Sequence, residues 1–155
     1  MDKNKEQYRD AGILIVDDNV TNVKLLEMTL EVEGFVNVKS TTDPRQVLEF
    51  QEKNKFDVIL LDIQMPHLDG FEVMEQLRGT TEGDYMPVLV LTAQQDMETR
   101  LRALESGARD FVTKPFDRAE VINRIYNMLE VRFLYNERRR QAEVLEGKVR
   151  ERTQQ

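Results

Sequence analysis

Cysteine is missing from all 155 positions of the chain. Its absence excludes disulfide bonds, zinc–thiolate sites and thiol nucleophiles. Long apolar runs are missing too, since no stretch approaches the roughly 18 residues that a membrane-crossing helix needs. Residues 1–10 are polar and lack the apolar segment of a signal peptide. We therefore expect a cytoplasmic location and no membrane partner.

Other missing sequence features argue against several classes of function. No glycine-rich phosphate loop follows the first predicted strand, where Asp18 and Asn19 stand instead, so nucleotide binding is not expected. The single histidine, His67, has no second His or Cys to form a metal site with, and we interpret it as an exposed loop residue. The sequence shows no helix-turn-helix segment, and its net charge of −7 argues against direct nucleic-acid binding.

What the chain does contain is a repeated alternation of apolar runs and helical segments. The runs are short and rich in Val, Ile and Leu, which is typical of strands buried on both faces of a parallel sheet. The predicted strands are 12–17, 35–40, 58–62, 87–92 and 110–113, and the predicted helices are 20–33, 43–53, 70–78, 96–106 and a long one after 117. With right-handed connections, this pattern predicts an α/β, flavodoxin-like, five-stranded parallel sheet in the order 2-1-3-4-5, with helices on both faces.

Polar residues stand at the ends of four of these strands. Asp17 and Asp18 follow the first strand, Asp62 ends the third, Thr92 ends the fourth, and Lys114 follows the fifth. Ligands of open parallel sheets bind beyond the carboxyl ends of the strands, so these side chains should converge. Three carboxylates at one edge repel each other unless a cation lies between them. Mg²⁺ suits this set, because it binds one or two carboxylates and completes its shell with water and phosphate oxygens.

The same residues are suited to phosphoryl chemistry. Lys114 offers a compact positive charge, while the Thr92 hydroxyl and the backbone N–H of Ala93 can donate hydrogen bonds to a phosphoryl oxygen. Phosphoryl transfer depends mainly on positioning and charge stabilisation. A carboxylate such as that of Asp62 can itself be the nucleophile, which would give an aspartyl phosphate.

Residues 11–130 resemble the receiver domain of two-component response regulators. The motifs that carry the resemblance are Ile-Leu-Ile-Val-Asp-Asp-Asn at 13–19, Asp-Val-Ile-Leu-Leu-Asp-Ile-Gln-Met-Pro at 57–66 with Asp-Gly at 69–70, Pro-Val-Leu-Val-Leu-Thr-Ala at 87–93, Gly-Ala-Arg-Asp-Phe at 107–111 and Lys-Pro-Phe at 114–116. The resemblance implies that Asp62 accepts a phosphoryl group from a phosphohistidine of a sensor histidine kinase or phosphotransfer protein. It also implies a regulatory domain that supports its own phosphotransfer and dephosphorylation, rather than a separate enzyme.

The resemblance further implies a set of Mg²⁺ ligands. Asp18 and Asp62 would bind the ion directly, together with the backbone carbonyl of Gln64, and Asp17 would act through water. We also hypothesise that Gln64 and Gln94 flank the path of attacking water and tune the lifetime of the aspartyl phosphate.

Phosphoryl binding and signalling are assigned in the same way. Thr92 and Lys114 would hold the phosphoryl oxygens, and the Lys114–Pro115 bond would be cis, an isomer found almost only before proline. Thr92 and Phe111 would form the switch, which alters the surface of the fourth helix, fifth strand and fifth helix. Many members carry Tyr at this switch position, whereas Phe111 has no hydroxyl.

The last predicted helix is longer than the fold requires. No proline follows residue 117, and the only glycine there is Gly147. Two heptad positions can be written along it, one with Met128, Tyr135, Ala142 and Val149 and the other with Val131, Arg138, Leu145 and Arg152. An isolated charged helix is marginal in water, so we expect a homodimer through a coiled coil; a single solvated helix is the alternative.

Three regions are therefore expected. Residues 1–10 would be a flexible N-terminus, 11–130 the receiver domain, and 131–155 a helical linker to an output domain beyond this chain. The linker resembles those of some regulators of cyclic-dinucleotide turnover.

Two other functions stay open on sequence alone. One is a Mg²⁺-dependent phosphohydrolase with an Asp nucleophile, although Gln64 stands where such enzymes commonly place a second acid, and an amide cannot shuttle protons. The other is an interaction module with a vestigial acidic site, which Mg²⁺ binding would distinguish.

Overall fold

A single five-stranded parallel sheet organises the protein. The computed structural model describes residues 3–65, 68–78, 87–93 and 97–154. The strands are β1 (Gly12–Val16), β2 (Asn37–Thr41), β3 (Val58–Asp62), β4 (Val88–Thr92) and β5 (Asp110–Thr113), and the helices are α1 (Lys3–Glu6), α2 (Val20–Glu33), α3 (Val47–Asn54), α4 (Gly70–Arg78), α5 (Met97–Glu105) and α6 (Arg118–Gln154). The strand order is β2-β1-β3-β4-β5, which confirms the predicted flavodoxin-like topology.

Helices cover both faces of the sheet. Every residue of β1, β3 and β4 is buried, as expected for strands with an apolar layer on each side. On one face the sheet packs against Leu26 of α2 and Ile125 of α6. On the other face it packs against Val47 of α3, Met74 of α4 and Ala103 of α5.

Local capping explains why α2 has the predicted bounds. The Asn19 side chain accepts hydrogen bonds from the backbone N–H groups of Thr21 and Asn22, which would otherwise lack partners at the helix start. Gly34 ends the helix at φ 107°, a left-handed conformation that favours glycine.

The strand β2 and the helix after it differ from their predicted bounds. β2 lies two residues later at its start than predicted, because its alternating exposed and half-buried residues give a weaker signal than a continuous apolar run. The predicted helix at 43–53 begins as a 3₁₀ turn over Pro44–Gln46, capped by Asp43, before α3 starts.

The N-terminal segment, residues 3–10, contacts the rest of the domain. Tyr8 is buried in the apolar cluster between the sheet, α2 and α6, and the backbone N–H of Val36 donates to the carbonyl of Arg9. The polar composition of residues 1–10 gave no indication of these contacts.

The helix α6 has two distinct halves. Asp117 accepts a hydrogen bond from the N–H of Ala119 at its start, and residues such as Ile125 and Leu129 are buried against the sheet. Phe133 is the last side chain of α6 that packs on this cluster. The helix continues through Gly147 to residue 154. Among the residues described, none of the helices is long and apolar enough to cross a membrane.

Candidate metal and phosphoryl site

The carboxylates of Asp17, Asp18 and Asp62 lie together at the carboxyl edge of the sheet. Val16 of β1 pairs with Leu61 of β3, so the residues that follow them end neighbouring strands. One oxygen from each of the three carboxylates lies within 4.8 Å of the others. Asp17 and Asp62 are buried, whereas Asp18 is exposed. An oxygen-rich cluster of this kind fits a hard divalent cation such as Mg²⁺.

Hydrogen bonds fix the buried carboxylate of Asp17. Its Oδ1 accepts from the backbone N–H of Asn19 at 2.9 Å, and its Oδ2 accepts from Nδ2 of Asn22 at 3.3 Å. Sequence reasoning missed Asn22, although its place in the first turn of α2, directly after the acidic loop, is a usable signal. The two bonds hold Asp17 in one orientation.

Lys114 bridges two of the acids. Its Nζ lies 3.3 Å from Oδ2 of Asp17 and 3.3 Å from Oδ2 of Asp62. The backbone N–H of Lys114 donates to the carbonyl of Thr92 at 2.8 Å, which ties the ends of β4 and β5 together. Thr92 is buried, and the Lys114–Pro115 bond is cis. The ends of four strands thus surround one small volume.

The ionised form of Asp62 is disfavoured in this site despite the nearby charge of Lys114. Burial and the neighbouring charge of Asp17 raise the pKa of Asp62, while Lys114 and the N–H of Gln64 lower it. The net effect raises this pKa to about 7. Burial is the largest of these causes, so the site favours the neutral carboxyl, and a bound divalent ion would favour the ionised form.

Gly70 lets the start of α4 approach the backbone that carries Asp62. A Cβ at this position would lie 2.8 Å from the carbonyl oxygen of Asp62 and 2.8 Å from Cα of Ile63. The N–H of Gly70 donates to the carbonyl of Ile63 at 2.9 Å. The sequence indicated Gly70 as a helix start and as part of a family motif, but the close approach of two backbones depends on the tertiary structure.

Other residues named from the sequence lie around this cluster or outside the described regions. Phe111 is half-buried, and its ring centroid lies 5.0 Å from the guanidinium carbon of Arg100. Ala93 and Gln64 are exposed. Gln94 and His67 lie outside the residues that the structure describes.

Comparisons with known proteins agree on one family. Residues 13–126 match the family model of the response regulator receiver domain. The chain is 37% identical over 133 residues to Response regulator PleD of Caulobacter vibrioides, a match that covers 85% of this chain and 29% of PleD. It is 38% identical over 117 residues to Response regulator MprA of Mycolicibacterium vanbaalenii, covering 76% of this chain and 49% of MprA. The chain therefore spans less than half the length of either relative.

A solved structure supports the same conclusion. A putative response regulator from Chloroflexus aurantiacus superimposes with a TM-score of 0.73 at 31% identity. The match covers 78% of this chain and 98% of that one.

Proposed function

We propose, from the premise that this chain belongs to the response regulator receiver domain family, that Asp62 accepts a phosphoryl group from a phosphohistidine. The donor would be a sensor histidine kinase or a phosphotransfer protein. A carboxylate oxygen of Asp62 bonds to phosphorus while the P–N bond breaks, and the electron pair leaves with the imidazole. The observation that carries this proposal is the position of Asp62, which lies among two further acids and 3.3 Å from Lys114.

Mg²⁺ is the proposed cofactor. Asp18, Asp62 and the backbone carbonyl of Gln64 would bind the ion, which would offset charge on the acids and on the incoming phosphoryl group. The hydrogen bonds that engage both oxygens of Asp17 support a role for that residue through water rather than as a direct ligand. The raised pKa of Asp62 is consistent with a cluster that needs another cation.

Lys114, Thr92 and the N–H of Ala93 would hold the phosphoryl oxygens. The 3.3 Å contacts of Lys114 with Asp17 and Asp62 support this role, because they keep its charge beside the proposed nucleophile. The backbone bond between Lys114 and Thr92 supports joint action of the two strand ends.

The signal would leave through Thr92 and Phe111 to the surface formed by α5, β5 and α6. The half-buried ring of Phe111 supports this role, because a fully enclosed ring would have less freedom to turn. Gln64 and Gln94 would tune the lifetime of the aspartyl phosphate.

The helix α6 is the proposed site of contact with a partner chain. The helix would pair with a second copy of the chain and, in a longer cytoplasmic protein, lead to an output domain. Val131, Leu134 and Leu145 support pairing, since they are 50%, 55% and 63% exposed on a helix that extends past the domain.

Chemical phosphorylation tests the assignment of Asp62. Acetyl phosphate with Mg²⁺ should add one phosphoryl group to the wild-type chain, measured by intact mass, and none to Asp62→Asn. Asp43→Asn is the matched control, because Asp43 caps the turn that follows the edge strand β2 and its carboxylate pairs with Arg45. Equal labelling of Asp62→Asn and the wild type would refute the proposal.

A further inference from the structure

The N-terminal segment, residues 3–10, contacts both α2 and α6. It lies near the amino ends of the strands, beside the start of β1, whereas the acidic cluster lies at their carboxyl ends. Whatever this segment does is therefore separate in space from the proposed phosphoryl chemistry.

Tyr8 attaches the segment to α6. Its ring is only 7% exposed. The ring centroid lies 4.9 Å from that of Phe133 in an edge-to-face arrangement and 6.0 Å from that of Tyr126. Both distances are within the range of favourable aromatic pairs.

Lys5 and Arg9 attach the segment to α2 and to the loop after it. Nζ of Lys5 lies 3.7 Å from Oε1 of Glu33 and 5.0 Å from the ring centroid of Tyr126. The carbonyl of Arg9 accepts from the N–H of Val36 at 3.2 Å. These contacts hold the residues before and after Tyr8 against the domain.

Tyr126 closes the link between the two helices. Its hydroxyl donates to Oε1 of Glu33 at 3.0 Å. Burial and Glu33 raise the pKa of Tyr126 to about 12, so the hydroxyl keeps its proton near neutral pH. The last residue of α2 is thereby bonded to α6 about two turns before Phe133, where α6 leaves the domain.

Phe133 lies where α6 leaves the domain. It is the last residue of α6 packed on the core cluster, so the Tyr8 contact lies at the point where the helix departs. We propose that residues 3–10 form a brace that fixes the direction in which α6 leaves the domain. The brace sets how rigidly the domain is connected to anything that α6 carries.

Hydrogen exchange of the full chain tests the brace. Tyr8→Ala removes the ring that touches Phe133, and amide exchange over residues 126–137 should become at least about tenfold faster, because buried aromatic area and ring contact are lost together. Tyr8→Phe keeps the ring and should stay within about twofold of the wild type. Amides of β3 and β4 are the internal control and should keep their protection.

A second variant addresses the same contact from the other side. Phe133→Ala should accelerate exchange of the same amides. In the double variant with Tyr8→Ala, the acceleration should be smaller than the product of the two single accelerations, since the two rings share one contact. Unchanged exchange at 126–137, or an equal acceleration throughout the sheet, would overturn the brace.

The phosphorylation assay separates this inference from the proposed function. Tyr8→Ala should accept a phosphoryl group from acetyl phosphate as fully as the wild type, because no brace residue contacts the acidic cluster among the described side chains. Failure of labelling in the wild type would refute the role of Asp62 and leave the exchange result unaffected.

Discussion

Two consecutive aspartates have different environments at the end of β1. Asp17 is buried and has both carboxylate oxygens engaged, whereas the carboxylate of Asp18 is exposed beside it. A side chain that is already bonded and oriented gains less from a metal than one that is free to adjust. Asp18 is therefore the residue through which metal affinity should be most directly altered.

Mg²⁺ should stabilise the protein against thermal unfolding. At a concentration 100 times the Kd, a ligand that binds only the folded state adds about 2.7 kcal/mol. The Asp18→Asn variant should lose most of the corresponding rise in Tm, measured by differential scanning fluorimetry with and without Mg²⁺. Glu31→Gln removes an exposed acid on α2 and should keep the full rise. A rise of equal size in Asp18→Asn would contradict the proposed metal site.

Stability without metal should depend on pH through Asp62. The pKa of this residue is about 7 in the folded protein against an ordinary value of 3.8. Between these values the folded state holds a proton that the unfolded state releases, so stability falls as pH rises and the loss persists above about pH 7.

Asp62→Asn should remove that loss. In EDTA it should unfold with a free energy at least ~1 kcal/mol larger than the wild type at pH 7.5, the equivalent of about one pKa unit. The gain should shrink as pH falls towards 4, as measured by urea denaturation at each pH. A gain that does not vary with pH would indicate a cause other than the ionisation of Asp62.

At the scale of elements, the strength of the sequence signal decided what could be predicted. The core strands β3 and β4 are continuous apolar runs, and their positions were predicted to within one residue. The helix α1 and the contact of Tyr8 were missed, because a single aromatic ring in a polar segment has no periodic partner.

The candidate site follows the same rule. Asp17, Asp62, Thr92 and Lys114 were identifiable because each stands where an apolar run ends, and parallel strands end at one edge. Asn22 and the close approach at Gly70 depend on where α2 and α4 lie relative to the sheet, and strand ends carry no information about that.

Gly70→Ala should disturb the junction of β3 and α4. The added Cβ would meet two backbone atoms at 2.8 Å, which cannot rotate away, so we expect a loss of about 1–3 kcal/mol in unfolding free energy, as for other overpacked positions. Phosphorylation of Asp62 should also slow, because the strain falls on its own carbonyl. Gly34→Ala is the comparison: nothing lies within 4 Å of its Cβ, and it should lose stability through its positive φ without a change in labelling rate. Equal labelling rates in Gly70→Ala and the wild type would separate α4 from the site.

For the whole molecule, oligomeric state is the property that α6 should control. The double variant Leu134→Glu with Leu145→Glu places charges on two of the exposed apolar residues proposed to pair. It should be a monomer by light scattering, whereas the wild type should be a dimer. Val144→Glu is the control, since Val144 is 51% exposed but lies about 100° around the helix from Leu145. Measuring each protein with and without a phosphoryl mimic also tests whether the state of Asp62 changes assembly. A monomeric wild type under both conditions would refute the pairing.

The outermost strand β2 has a consequence for how copies of this protein meet. An unpaired strand edge can recruit a strand from another molecule and so start aggregation. In β2 the side chains alternate between exposed and half-buried, and Lys39 places a charge in mid-strand. A charged, polar border of this kind discourages two copies from joining their sheets through β2.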